Sequence, residues 1–246
     1  MIQGPRTRLA ALLLALSLAA PAGAANLQIS PVSISFRAAQ TAAGITLQNL
    51  GEQPLHGQVR VFSWDQKDGE DVLTPATDVV ASPPIMEVGP NSTQTVRLVR
   101  RNGGAVAREQ TYRILIDEIP REEAAASGVA IRLQYSVPVF VQPLDDKAAP
   151  RLAWSLQQKD GAWFLHLKND GNLHAQVGAT VLRTAAGKEF QVSKGLLGYA
   201  LAGRERAWRL APEAGAVLQG AGQLALRTMV NAQALDASVS AAAVQD

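Results

Sequence analysis

Cysteine is absent from all 246 residues. This absence excludes a disulfide framework and thiol chemistry, so packed apolar cores must stabilise the fold. Long apolar runs are scarce as well. The longest, residues 9–20, is shorter than the about 20 residues that a transmembrane helix needs. We therefore expect no membrane span.

A large charge excess of either sign is also missing, with 23 Lys and Arg against 21 Asp and Glu. Residues 1–24 combine Arg6 and Arg8 with the apolar run and the small residues Ala22-Gly23-Ala24, a pattern that predicts a cleaved secretory signal peptide. Its removal leaves 21 basic residues against 21 acidic ones. A nucleic-acid partner therefore has no electrostatic support, and we expect an exported protein.

Signatures of catalysis and metal binding are missing too. His56, His166 and His174 have no second ligand at a metal-binding spacing. The sequence has no G-x-S-x-G elbow, no phosphate-binding glycine loop and no H-E-x-x-H. The acidic residues between 65 and 71 miss the EF-hand spacing, and Asp68-Gly69 is typical of a hairpin turn. We expect no catalysis, no cofactor and no metal.

Helical periodicity does not appear after the leader. Short alternating runs, such as residues 57–62 and 177–182, are separated by turn sequences, which predicts an all-β fold of sandwiches. The length suits two domains. The predicted division is a first domain at 25–143, a linker at 144–150 that is charged and closes with Pro150, and a second domain at 151–246.

The longest alternating run lies at residues 129–141. Because Pro138 cannot donate a ladder hydrogen bond, this strand is confined to a sheet edge, a first position or a bulge. An edge strand with large apolar side chains invites another chain to pair with it. The run predicts a strand that offers its edge to a partner. Its apolar members are Val129, Ile131, Leu133, Tyr135, Val137, Val139 and Val141.

Four stretches carry a family resemblance. An E-x-x-Y-R-x-x-x-x-E-I-P pattern starts at Glu109 and is followed by Pro-Val-Phe-Val-Gln-Pro at residues 138–143. Earlier stretches are Leu-Gln-Ile-Ser-Pro-Val at 27–32 and Trp-Asp-Gln at 64–66. Together they resemble the periplasmic pilus-assembly chaperones, and more narrowly the archaic chaperone-usher branch. The resemblance is close over residues 27–143.

The resemblance implies two immunoglobulin-like β-sandwich domains at an angle, with a cleft between them, in a periplasmic protein. It implies pilin (fimbrial) subunits and an outer-membrane usher as partners. The first domain would lend its edge strand to an incomplete subunit, which is strand addition. Val129, Ile131 and Leu133 match the donated side chains of the family, with Tyr135 as a fourth. The same edge could also pair two copies of the chain.

The sequence departs from the family at the anchor for the subunit's terminal carboxylate. The better-known members use an Arg and a Lys, and Ser33 and Pro138 occupy those positions here. A hairpin centred near Ala124 would set residues 112 and 113 opposite 135–137, which favours Arg113 as the substitute anchor, with Arg97 second. Alternatively, Arg113 only pairs with Asp117, Glu118 or another surface acid.

An arginine that holds the two domains together in the family is replaced here by Gln142, which puts that contact in doubt. Two other functions were considered for the whole chain. A secreted two-sandwich adhesin or structural pilus component would be favoured by the lack of a free edge. A sugar- or metal-dependent enzyme is disfavoured because the polar residues that it would need are missing.

Overall fold

The computed structural model describes residues 27–119, 132–220 and 222–243. Within these ranges nearly all regular structure is β, which confirms the predicted fold class. The exceptions are a 3₁₀ turn at Pro212–Ala214 and a one-turn helix, α1, at Gly215–Leu218. The predicted signal peptide at 1–24 lies outside the described residues.

The strands follow one another closely along the chain. They are β1 (Leu27–Ser30), β2 (Ile34–Phe36), β3 (Ala42–Asn49), β4 (Leu55–Lys67), β5 (Glu70–Pro75), β6 (Val79–Ser82), β7 (Ile85–Val88), β8 (Thr93–Arg100), β9 (Gln110–Ile119), β10 (Gln134–Val141), β11 (Leu152–Lys159), β12 (Ala162–Asn169), β13 (Ala175–Thr184), β14 (Glu189–Ser193), β15 (Gly198–Ala200), β16 (Arg204–Arg209), β17 (Gln223–Val230) and β18 (Gln233–Ala243).

The first sandwich is built from two sheets. One has the strand order β1-β3-β8-β6, and the other has β2-β10-β9-β4-β5 with β7 paired to β4. Alternate residues of each strand point inward, so the apolar ones meet in a single core. Each buried aliphatic side chain stabilises the fold by about 1.5–3 kcal/mol. The largest fully buried members are Phe36, Ile45, Leu47, Leu98, Ile114 and Ile116.

The second sandwich follows after residues 142–151, which contain no strand. Its strands form a continuous sheet in the order β14-β13-β17-β18-β11-β12-β16, with β15 paired to β13. This arrangement encloses a separate core, so each sandwich is stabilised by its own apolar interior. The largest fully buried members are Leu156, Leu165, Leu167, Leu182, Leu218 and Leu224. The predicted domain boundaries remain predictions.

The connection between the sandwiches lies directly against the turn after β12. Ala149 N donates to Asn172 Oδ1 at 2.9 Å, and Asn172 N donates to Ala149 O at 3.2 Å. Gly171 makes this approach possible, because a Cβ there would lie 2.6 Å from Arg151 N and 2.7 Å from Pro150 Cα. Real side chains do not approach backbone atoms so closely, so the position requires glycine.

We expect the Gly171→Ala substitution to lower the melting temperature of the protein by about 3–10 °C. Overpacking lowers the free energy of unfolding by about 1–3 kcal/mol, and in a protein of this size each kcal/mol changes the melting temperature by about 2–4 °C. Circular dichroism melts would measure the change. Gly195→Ala is the control, since a Cβ at Gly195 would have no atom within 4 Å. Equal melting temperatures for the two variants would show that the connection moves aside freely.

Candidate functional site

Strand β10 presents a partly free edge. It pairs with β9 along its whole length, from Gln134 opposite Asp117 to Val141 opposite Gln110. On its other side it pairs with β2 only at residues 139–141. No strand of the described residues pairs with that side of residues 134–138. Pro138 lies at the end of the free stretch, as its missing N–H predicts.

The apolar row along β10 divides into two parts. Val137, Val139 and Val141 are buried in the core of the first sandwich. Tyr135 is partly buried at the rim of that core, and its hydroxyl donates to Leu27 O at 3.2 Å. Burial raises the pKa of Tyr135. These three valines of the seven predicted members therefore serve the protein's own fold, and Tyr135 lies at its rim.

The remaining members of the predicted donor row precede β10. Leu133 is partly buried, and its carbonyl accepts a hydrogen bond from Glu118 N at 3.4 Å. It shares a face with Tyr135, because side chains two residues apart in an extended chain point the same way. Val129 and Ile131 lie outside the described residues, so their place in the row stays a prediction.

A second sheet edge lies beside this one. Strand β1 ends the other sheet of the first sandwich and pairs only with β3 among the described strands. The Tyr135–Leu27 hydrogen bond joins β10 to β1 across the gap between the two sheets. The first sandwich is thus open along one side, with a strand edge on each of its sheets.

Arg113 lies directly across from Pro138, and Tyr112 lies across from Val139. The predicted register, with residues 112 and 113 opposite 135–137, is therefore wrong by about two residues. The sequence does not define where the loop between the two strands turns, and a shift of one residue in the turn moves the partner by two. Arg113 nevertheless lies opposite Pro138, the position at which the better-known members of the family carry the anchoring lysine.

The guanidinium of Arg113 rests on aromatic side chains between the two sandwiches. Its Cζ is 3.7 Å from the centroid of the Trp64 ring and 5.4 Å from that of Tyr199. Such stacking suits a planar cation that is partly removed from water. Burial lowers the pKa of Arg113, and the Asp71 carboxylate opposes this shift. An arginine nevertheless remains charged in proteins.

The alternative that Arg113 simply pairs with a neighbouring acid on β9 is not what the structure shows. Asp117 instead accepts hydrogen bonds from Arg60, from Nη2 at 2.8 Å and from Nε at 3.0 Å. Among the described residues, no acid lies within ion-pair distance of Arg113. Its hydrogen-bond donors are therefore open to a partner from outside the described chain.

The other residues considered for the anchor lie elsewhere. Arg97 is exposed on β8, between the buried Val96 and Leu98, and it belongs to the other sheet of the first sandwich. The structure does not bring it together with Arg113. Ser33 is exposed in the bend between β1 and β2. Of the two candidate arginines, only Arg113 lies on β9, with its side chain toward Tyr199 of the second sandwich.

Trp64 is the site residue that the sequence did not identify as functional. It forms a buried cluster with Phe140, Tyr199 and Leu201 between the two sandwiches. Trp64 meets Tyr199 edge-to-face, with ring centroids 5.3 Å apart. Its Nε1 donates to Asp71 Oδ1 at 3.0 Å. The Trp-Asp-Gln stretch at 64–66 was a signal, but nothing local in it indicated an interdomain contact.

Polar contacts fix the second sandwich against the first in place of the absent arginine. Glu109 is buried, and its Oε2 accepts hydrogen bonds from both N and Nδ1 of His174, each at 2.8 Å. The His174 ring stacks on Phe140 with centroids 3.7 Å apart. Arg206 pairs with Glu70 at 2.7 Å. Gln142, by contrast, is exposed and takes no part in these contacts.

A second ion pair also bridges the sandwiches, between Arg204 and Asp65. The hydrogen bond from Arg204 lowers the pKa of the Asp65 carboxyl, and the same contact raises the pKa of Arg204. Because both side chains are substantially exposed, this pair contributes little by itself. Together with the contacts of His174 and Arg206, this pair holds the two sandwiches in one relative orientation.

In the described part of the chain, no group of three or more His, Asp or Glu residues is arranged to hold a metal ion. The same residues contain no helix with the length and apolar character that crossing a bilayer requires.

The solved structures include many with this two-sandwich architecture. A chain of the CsuC–CsuE chaperone–tip adhesion subunit pre-assembly complex, from archaic chaperone-usher Csu pili of Acinetobacter baumannii, aligns with a TM-score of 0.67 at 21% identity, over 89% of this chain and 100% of that chain. The Escherichia coli chaperone DraB aligns with a TM-score of 0.59 at 19% identity, over 88% and 97%.

The complex of SafA pilin with the SafB chaperone from Salmonella enterica gives a TM-score of 0.60 at 16% identity, over 87% of this chain and 97% of that chain. At these identities the alignments show the shared fold. A comparison with curated protein sequences gave no significant match. Residues 26–145 match the family described as pili and flagellar-assembly chaperone, PapD N-terminal domain, whose members are not enzymes. Over these residues the chain is similar to the N-terminal domain of the pili and flagellar-assembly chaperones.

Proposed function

We propose that this protein is a periplasmic chaperone that captures pilus subunits by lending them its β10 edge and delivers them to an outer-membrane usher. The observation that carries the proposal is the free edge at residues 134–138, which lies beside the open guanidinium of Arg113. The related structures in which a chaperone is complexed with a tip adhesion subunit or a pilin support it.

The edge offers both features that strand addition requires. The N–H and C=O groups of Gln134 and Ser136 face the open side, because alternate residues of a strand turn these groups to opposite sides and Leu133 O already faces β9. They are free to form a ladder with an incoming strand. Leu133 and Tyr135 project from one face at the start of this stretch, and the predicted positions of Val129 and Ile131 continue the same row. A subunit that lacks one strand would take these side chains into its open core.

Arg113 is the proposed anchor for the subunit's terminal carboxylate. A guanidinium can donate two parallel hydrogen bonds to a carboxylate, which fixes its position as well as its charge. Trp64 covers the plane of the Arg113 guanidinium and so leaves the donors at its edge for the ligand. An anchor at the position opposite Pro138 would set the end of the subunit at the end of the free edge.

Transfer to the usher needs no nucleotide in this scheme. A neighbouring subunit's own strand replaces β10, and the better fit of that strand drives release. The free edge counts against the alternative of a self-contained adhesin, which would be expected to close its own sheets.

Co-expression of the exported chain with the small secreted proteins encoded beside it tests the proposal. We expect affinity purification and mass analysis to recover a one-to-one complex with a subunit that is degraded or aggregated when expressed alone. A monomer that rescues none of its neighbours would overturn the proposal.

A further inference from the structure

The Trp-Asp-Gln stretch at residues 64–66 ends in a glutamine that the proposed function does not use. Gln66 lies near the end of β4, and only 4% of it is exposed. A buried carboxamide requires partners for both its oxygen and its nitrogen. Gln66 finds them largely in the second sandwich, 133 and 135 residues further along the chain.

The carboxamide of Gln66 forms the hydrogen bonds that a neighbouring strand would form. Its Nε2 donates to Tyr199 O at 2.7 Å, and its Oε1 accepts from Leu201 N at 2.9 Å. These two backbone groups flank Ala200 and point to the same side of the chain. A parallel strand would pair with this carbonyl and this amide in the same manner. Gln66 therefore caps the side of β15 that faces away from β13.

The same carboxamide is linked to the aromatic support of Arg113. Gln66 Nε2 also donates to Asp71 Oδ1 at 2.9 Å, and this oxygen accepts from Trp64 Nε1 at 3.0 Å. Trp64 and Tyr199 are the two rings against which Arg113 lies. One side chain thus holds Tyr199 through its backbone and Trp64 through Asp71.

Asp71 is held in a way that keeps Arg113 available. Its Oδ1 is shared by Trp64 and Gln66, and its Oδ2 lies 4.0 Å from Arg206. The carboxylate is close enough to influence Arg113 electrostatically, but it is not within ion-pair distance of it. Without the Gln66 contact, Asp71 would be freer to turn toward the guanidinium and occupy its donors.

We infer that Gln66 is a positioning residue that sets the Arg113 guanidinium for its ligand by fixing Tyr199, Trp64 and Asp71 around it. The consequence for binding rests on the proposed function, whereas the geometry of Arg113 can be measured in the free protein. Gln66 does not itself contact the ligand in this arrangement.

The first test is the ¹⁵N spectrum of arginine Nε–Hε groups in the free protein, with the Arg113 signal assigned by its loss in Arg113→Lys. Stacking on Trp64 should shift this signal away from those of exposed arginines. We expect Gln66→Met to move it toward them and Gln58→Met, on the same strand, to leave it in place. An unchanged Arg113 signal in Gln66→Met would overturn the inference.

The second test is a double-mutant cycle for affinity toward a co-purifying subunit. We expect Gln66→Met to weaken binding about fivefold to tenfold, the usual size for a buried hydrogen-bonding group, but to have no further effect when Arg113 is already alanine. Equal weakening in both backgrounds would show a general structural role and overturn the inference.

Gln66→Glu provides a second variant if Gln66→Met does not fold, because it keeps the acceptor for Leu201 N and loses the donor to Tyr199 O. We expect the same displacement of the Arg113 signal. If Arg113→Ala leaves binding unchanged, the proposed anchor fails, while the spectrum of the free protein still decides the role of Gln66.

Discussion

Replacing Leu133 with glutamate should abolish the recovery of a subunit complex while the free protein stays folded. The side chain precedes β10, is only partly buried and is not part of the first sandwich's core. In a complex it would enter the apolar groove of the subunit, where an unpaired carboxylate is strongly disfavoured. A loss of about 3 kcal/mol or more would weaken binding more than a hundredfold.

The free Leu133→Glu variant should melt within about 3 °C of the parent protein, as expected for a change of about 1 kcal/mol or less in a chain of this length. Leu196→Glu is the matched control, because Leu196 is 59% exposed in the second sandwich. It should leave both melting and capture unchanged. Unfolding of Leu133→Glu would assign Leu133 to the protein's own core, and full capture would remove it from the donor row.

Replacing Arg113 with alanine should weaken binding of a subunit that carries its natural C-terminal carboxylate by about tenfold to a hundredfold. A hydrogen bond to a charged group contributes about 1.5–3 kcal/mol to the binding free energy, and its loss lowers the affinity by this factor. The measurement is the dissociation constant of the purified pair. Arg97→Ala is the matched control, because Arg97 is exposed on the other sheet.

The subunit supplies the complementary control for the anchor. When its terminal carboxylate is converted to an amide, the difference between the parent protein and Arg113→Ala should largely disappear. Arg113→Lys should recover part of the affinity, since a lysine keeps the charge but not the fork of donors. If Arg113→Ala binds as tightly as the parent to the unmodified subunit, Arg113 is not the anchor.

Much of the architecture could be predicted from the sequence because its signals are local. Alternation in strands and the turn sequences between them indicate β-sandwiches without knowledge of any long-range contact. The same logic placed Pro138 at an edge, since a missing N–H excludes a residue from the middle of a ladder wherever it lies. The similarity to the chaperone family was visible because the stretches that carry it are contiguous in the sequence.

The site was less predictable because it is assembled from distant parts. Trp64 and Tyr199 are separated by more than half of the chain, and no periodicity links them. The pairing of Arg113 depended on the turn of a loop, and a small error there moved its partner by about two residues. The bonds from Gln66 to the backbone of residues 199 and 201 leave no mark in composition or spacing.

Strand β10 is held at one end by Val139 and Val141, which are fully buried in their own sandwich. A slip of one residue would turn both valines out of the core and is therefore strongly disfavoured. The register of β10 is therefore fixed. A chain that pairs with residues 134–138 would find a strand whose register is already fixed. The conformational entropy of these residues is lost when the protein folds, so binding does not have to offset it again. Selectivity among partners then depends on the length of the pairing strand and on the positions of its apolar residues. A strand whose apolar residues do not match this register cannot be accommodated by a register shift.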